Sequence, residues 1–234
     1  MSLDTLREHV CQANMDLVAA DLVTLTWGNA SGVDREAGVM VIKPSGVDYD
    51  RLRPDDLVVV ALDTGDVVEG ELRPSSDAPT HLVLYREFLS VGGLVHTHSS
   101  YATGWAQAGR EIPCLGTTHA DHFFGPVPLT RELTPLEIER DYEANTGRAI
   151  VERFAQGRLD PRQVPGVLVP YHGPFAWGTD PADAVENAII LEQVARMALY
   201  TAMLNPGRDE IPEALLNKHF LRKHGPGAYY GQEG

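Results

Sequence analysis

The longest unbroken apolar stretch in this chain is six residues, Leu57 to Leu62. A helix that crosses a bilayer needs about 20. The apolar residues must therefore be gathered by short strands and by single faces of amphipathic helices. Leu6, Val10, Ala13 and Leu17 recur at helical spacing and predict the first such face. The segments TLTWGNASGVD and GVMVIKPSGVD each read as a β-rich stretch ending in a tight turn. Leu57 to Leu62 reads as a buried strand, Asp63 to Asp66 as a turn, and Val67 to Glu69 as the return strand of a hairpin.

Further along, Ser75-Ser76-Asp77 precedes a helical segment that runs to about Phe88, with residues suited to accept from free N–H groups. Gly93 to His98 is strand-like, and Ser99 to Ala108 is helical. Leu136 to Phe154 reads as one helix interrupted at Gly147, and Val167 to Val169 as a strand ending at His172-Gly173-Pro174. Asp180 caps the longest helix, to Leu204, with Pro181 in its first turn. A last helix covers about Ile211 to His224. Strands and helices intermix without a strict βαβ period. The expectation is one α/β domain over residues 1–234, with a mixed, largely antiparallel sheet covered by helices.

Charge and cysteine usage exclude several functions. Thirty-three acidic residues against nineteen basic give a formal charge of −14. Such a chain has no electrostatic footprint for nucleic acid and repels anionic membranes, so neither is expected as a partner. An anionic substrate would need a local nest of donors. Two cysteines, Cys11 and Cys114, rule out a disulfide framework and a cysteine-based zinc module. The opening residues lack the apolar core of a secretory signal, and the expected location is the cytoplasm. Dinucleotide and P-loop fingerprints are absent, because Gly225, Gly227 and Gly231 follow a helix at the wrong spacing.

The sharpest chemical signal is His96-x-His98. On a strand, alternate side chains share a face, with roots roughly 6–7 Å apart, which suits two ligands of one divalent ion. A third ligand must come from elsewhere: His172 at a strand end is a candidate, and His119, His122, His81 and His9 compete with it. Asp77 is a further ligand or a base. An anion site is suggested by Lys43-Pro44-Ser45-Gly46, by Ser75-Ser76 at a helix start, and by the turn Trp27-Gly28-Asn29. Asp121 lies in a polar loop. Tyr229-Tyr230 is an unusual pair for a tail and suggests docking onto the core or onto a neighbouring subunit. The basic residues Lys218, His219, Arg222, Lys223 and His224 complement the end of the last helix.

These pieces occur together and in order in one family. The stretches LVTLTWGNAS, VIKPSGVDY, PSSDAPTH, GGLVHTHS, GTTHADHF, PGVLVPYHGPFAWG and LRKHGPGAYYGQ resemble the class II sugar-phosphate aldolase and epimerase superfamily, from residue 22 to the C-terminus. The GTTHAD loop, the AYYGQ tail and Asp77, where aldolase members usually carry Glu, place the resemblance nearer the epimerase branch. It implies a three-layer α/β/α domain. It also implies a zinc ion, or another divalent metal such as manganese or cobalt, held by His96, His98 and His172 with Asp77 as the acidic group. Gly28, Asn29, Lys43, Ser45, Gly46, Ser75 and Ser76 would hold a phosphorylated ketopentose, chiefly its phosphate. Asp121 and Tyr230 would be the acid/base residues, contributed across the subunit boundary of a homotetramer. An aldolase of the same superfamily, and a binding module on the same fold that has lost its metal, are the competing expectations.

Overall fold

A computed structural model of the chain describes residues 2–229. In chain order the elements are α1 (Leu3–Ala19), β1 (Asn29–Asp34), β2 (Val39–Ile42), β3 (Val58–Ala61), β4 (Val67–Glu69), α2 (Ala78–Glu87), β5 (Gly93–His96), α3 (Ser100–Gln107), α4 (Thr117–Ala120), α5 (Pro135–Glu139), α6 (Tyr142–Gly157), β6 (Gly166–Val169), β7 (Gly173–Gly178), α7 (Pro181–Leu204) and α8 (Glu213–His224). The strands form one seven-stranded sheet in the order β4-β3-β2-β1-β5-β7-β6. Every neighbouring pair is antiparallel, so the sheet is more uniform than the expected mixed one. No described helix is long and apolar enough to cross a membrane.

Strand alternation distributes the helices over both faces. On β1, Ser31 points to one side, where its hydroxyl meets His81 and Tyr85 of α2. Its neighbour Gly32 faces the other side, where Leu6, Val10 and Pro181 press so closely that a Cβ would come within 2.8 Å of Leu6 and Pro181. Helices α1 and α7 therefore cover one face and α2 and α6 the other. Phe88, Phe154 and Trp177 pack ring against ring on the α2 and α6 side. The sheet between them is buried at its centre and on the β6 side, as in β5, β6 and β7, while the edge strand β4 is exposed. Buried Asn14 fastens α1 to β1: its amide accepts from the N–H of Ala30 at 2.9 Å and donates to the Ala30 carbonyl at 3.2 Å.

Three expectations are corrected. The TLTW stretch is not a strand: Leu25 (φ 54°) and Gly28 (φ 103°) take left-handed conformations in tight turns, and β1 starts only at Asn29. The helix expected from Leu136 to Phe154 is two helices. The break lies at Arg140 and Asp141, the latter left-handed at φ 54°, and not at Gly147. A strand missed in the sequence, β7, returns antiparallel to β6 through the turn that holds His172. Gly147 lies inside α6 where that helix presses on α2. A Cβ there would stand 2.8 Å from the Cβ of Val83 and 3.1 Å from the carbonyl of Thr80.

That contact gives a direct test. An alanine gains helix propensity of about 1 kcal/mol over glycine, but neither a β-branched Cβ nor a backbone carbonyl can yield the missing space. Overpacking costs about 1–3 kcal/mol. Gly147→Ala is expected to lower the urea midpoint of unfolding, and a midpoint equal to or above the parent's would refute the packing account.

Candidate active site

The ends of β1, β5 and β7 meet because of their register. Asn29, the first residue of β1, pairs with His96, the last of β5, and His96 pairs on its other side with Phe175 of β7. The His96 ring stacks on Phe175 at 4.3 Å between centroids, and its Nδ1 lies 2.9 Å from the Pro174 carbonyl. A carbonyl can only accept, so Nδ1 carries the proton and Nε2 keeps its lone pair. His172 sits in the β6–β7 turn behind Tyr171, which is left-handed at φ 61°.

His98 does not share the strand with His96, contrary to the alternation expected from sequence. β5 stops at His96, and His98 reaches back from the turn before α3. Its Nε2 is nonetheless 3.0 Å from Nε2 of His96. The His172 ring lies 4.6 Å from that of His96 and 5.1 Å from that of His98, centroid to centroid. The three ligand atoms lie within 4.8 Å of one another, the one such group of three among the described residues. Burial, followed by the proximity of the other imidazole at His96, depresses the proton affinity of both His98 and His172. Neutral imidazoles converging on one point, with one ring fixed through its far nitrogen, fit a divalent transition ion.

Asp77 occupies the cap position of α2, but its side chain does not cap the helix. It turns to the site instead and accepts from Asn29 Nδ2 at 2.7 Å, while Asn29 also donates to Ser75 Oγ at 3.0 Å. Burial pushes the Asp77 carboxyl up. The imidazoles of His96 and His81 and the Asn29 hydrogen bond outweigh it, and the group is held below the ordinary carboxylate value.

A cavity of about 510 Å³ opens beside the histidines and includes Gly28, Asn29, Lys43, Ser45, Gly46, Ser75, Ser76 and Asp77 in its wall. The two loops that carry these residues are tied together: Ser45 N–H donates to Arg73 O, and Ser75 N–H to Lys43 O, both at 2.9 Å. Gly28 is held under the site by Tyr49, whose hydroxyl donates to its carbonyl at 2.8 Å. A Cβ on Gly28 would strike the His96 carbonyl at 2.8 Å. Lys43 is buried, and its ammonium donates to Val47 O at 2.6 Å and to Pro44 O at 3.3 Å. Burial lowers its pKa, with Asp48 acting in the opposite direction. These groups gather hydroxyls, an amide and one buried cation at one wall of the cavity, the kind of local concentration an anion would need in an acidic protein.

Not every expected residue joins this cavity. Asp121 ends α4 and is clamped by α8: Arg222 donates to both carboxylate oxygens at 3.0 and 2.7 Å, and His219 lies 3.0 Å away. Although Asp121 is itself desolvated, these partners hold its carboxyl below the ordinary value. The basic last helix thus serves the 116–123 segment as well as its own C-terminus. Tyr230 lies outside the described residues. Of the competing histidines, His81 is buried against Ser31, and His119 lies 2.9 Å from the Gly125 carbonyl. Tyr142 and Glu143, at the start of α6, line the cavity and were missed in the sequence. Reading residues 136–154 as one helix hid the helix start that presents them.

Residues 8–199 match the family described as Class II Aldolase and Adducin N-terminal domain. This chain belongs to the class II aldolase family. Within it, the chain is 56% identical over 231 residues to an L-ribulose-5-phosphate 4-epimerase UlaF of Salmonella paratyphi A and to one of Salmonella typhi, covering 99% of this chain and all of each relative. Among solved structures it resembles an L-fuculose 1-phosphate aldolase, with a TM-score of 0.77 and 25% identity, covering 92% of this chain and 94% of the other. An L-fuculose-1-phosphate aldolase from Thermus thermophilus has the same fold, with a TM-score of 0.67 and 24% identity over 88% of this chain and all of the other. The expected superfamily and α/β fold are thereby established.

The buried histidines of this family member set a pH dependence. Burial drives His81 down to about 3 and His119 down to about 4, against about 6.5 in an unfolded chain. Between those values the unfolded state binds more protons, so stability rises with pH and is lost as pH falls from about 6.5. Each group contributes at most about 1.4 kcal/mol per pH unit. The metal-free protein is expected to melt progressively lower from pH 7 to pH 5. A melting temperature constant across that range would contradict the neutral, buried assignment.

Proposed function

We propose that the chain acts as an L-ribulose-5-phosphate 4-epimerase, interconverting L-ribulose 5-phosphate and D-xylulose 5-phosphate by opening and re-forming the C3–C4 bond. The observation that carries this reading is the end-to-end 56% identity to such epimerases, in a chain whose three histidines and anion-binding loops face one cavity. The C4 hydrogen is not adjacent to the carbonyl, so direct proton abstraction cannot invert that centre. Removing the C4 hydroxyl proton instead lets the C3–C4 bond break in a retro-aldol sense. The two fragments are a three-carbon enediolate and glycolaldehyde phosphate. The aldehyde presents its other face, the bond re-forms, and the proton returns to the new C4 oxygen.

His96, His98 and His172 are the ligands in this proposal, and Asp77, set by Asn29, is the acidic group beside them. A zinc ion, or manganese or cobalt, bound there would supply the positive charge that offsets charge developing on the substrate oxygens. Lys43, Ser45, Gly46, Ser75 and Ser76, with Gly28 and Asn29, retain the phosphate end. Retention separates epimerisation from cleavage, because an aldehyde that escapes turns the reaction into an aldolase reaction. Two faces of attack require two proton-handling groups, and Asp121 and Tyr230 are assigned to them. Asp121 is not among the residues that line the cavity, which supports contribution from a neighbouring chain in a cytoplasmic homotetramer. The chain works as a single domain over residues 1–234.

The function is tested by epimerisation of L-ribulose 5-phosphate with and without a chelator. Turnover that is abolished by the chelator and restored by zinc, manganese or cobalt is expected. Release of free aldehyde at the rate of substrate loss would favour the aldolase reading instead. The subunit assignment has a separate test. Tyr230→Phe should keep metal and assembly while turnover falls by about 10²–10⁴-fold. Mixed oligomers of Tyr230→Phe and His98→Ala chains should regain activity, since some interfaces pair an intact metal site with an intact tyrosine. No recovery after confirmed subunit exchange would place both on the same chain.

A further inference from the structure

We infer that Tyr142 is a positioning residue of the histidine site: its hydroxyl accepts a hydrogen bond from Nδ1 of His172 and thereby commits Nε2 of that ring to the metal. The inference rests on the reading of His96, His98 and His172 as metal ligands. A metal-binding imidazole has two nitrogens, and the bond made by one fixes which of them carries the proton. His96 is fixed through its backbone surroundings, because its Nδ1 faces the Pro174 carbonyl at 2.9 Å. His172 stands in a hairpin turn outside the strand ladder, and the group at its Nδ1 is the Tyr142 hydroxyl, 3.4 Å away. The two rings lie 6.1 Å apart at 36°.

The direction of this bond follows from the chemistry of the site. A hydroxyl can donate or accept. If it donated to Nδ1, the ring proton would sit on Nε2 and remove the remaining lone pair. Only the accepting arrangement leaves His172 a ligand. The hydroxyl is also placed by rigid parts. Tyr142 opens α6, and the next residue is tied to α2 because Thr80 Oγ1 donates to the Glu143 carbonyl at 2.6 Å. Gly147 lets α6 close on α2 one to two turns further along. The helix pair that brings Asp77 to the cavity therefore also brings the partner of His172. The neighbouring Tyr171 is a natural contrast: it is exposed, and its hydroxyl donates to Glu132 at 2.9 Å, not to the histidine.

The test compares zinc affinity of the full-length protein by competition with a chromogenic chelator. Tyr142→Phe keeps the ring and removes the hydroxyl. It is expected to weaken zinc binding about 10–100-fold, the range typical of losing an outer partner of a metal ligand. Tyr171→Phe should bind as the parent does. The second readout is the ¹⁵N spectrum of histidine-labelled, metal-free protein. His172 should be a single Nδ1-protonated tautomer in the parent and a mixture in Tyr142→Phe. Parent-like zinc affinity in Tyr142→Phe overturns the inference. If the metal-free variant also melts lower, the spectrum decides: an unchanged His172 tautomer overturns the inference, and a mixed one supports it. Zinc binding by the parent itself separately tests the metal reading, so failure of that reading is distinct from failure of the role given to Tyr142.

Discussion

The antiparallel register of β1, β5 and β7 is the constraint on which the site depends. Pairing Asn29 with His96, and His96 with Phe175, brings the ends of three strands to one point of the sheet. Successive strands in a sheet lie about 4.7–4.9 Å apart, which is also the scale on which side chains at their ends can share one ion. A slip of one residue would turn His96 to the opposite face and replace it with Val95. Burial on both faces makes such a slip costly, since β5 and β7 are buried throughout. The stability of the sheet and the placement of His96 are therefore the same fact.

The polar groups under the site hold one another, although Asn29 Oδ1 and His81 Nε2 are buried with no hydrogen-bond partner among the described residues. Asn29 spans Ser75 and Asp77, so a strand start is held to a helix start by an amide side chain. On the same face Ser31 meets both His81 and Tyr85, extending a hydrogen-bonded layer beneath the histidines. Buried polar groups are expensive without partners, and partners of this kind rigidify the wall of the cavity to which the proposed metal and anion roles are given. Lys43 follows the same logic. Its ammonium is occupied by loop carbonyls, so it shapes the 43–47 turn while contributing positive potential to a cavity in an otherwise acidic chain.

A second polar centre, distinct from the cavity, joins α4 to α8. Asp121 receives two bonds from Arg222, with His219 alongside. A carboxylate so paired stays ionised at lower pH than an ordinary one, and its geometry is set within one chain. The proposed division of labour, with metal and anion groups in one place and proton-handling groups in another, corresponds to two separately built centres of the fold.

The sequence by itself determined the kinds of chemistry available. Its short apolar runs allowed only short strands and amphipathic helices, and its charge left an anion only a local nest. The His-x-His pair, the Ser-Ser-Asp helix start and the glycine turns were legible because each is local, and it was their occurrence together and in order that gave them weight. Tertiary structure decided which of them meet. Nothing local selects His172 over His119 or His81 as the third histidine; that follows from the β6–β7 hairpin, whose second strand was not read. Periodicity also could not show that His98 lies past the end of its strand, because strand length is set by pairing with neighbours. Gly147 looked like a helix break because glycine disfavours helices. Its actual reason, the close approach of α6 to α2, exists only when both helices are packed. Tyr142 and Glu143 were hidden for the same reason: a helix start becomes part of a site only once the opposing helix fixes where it points.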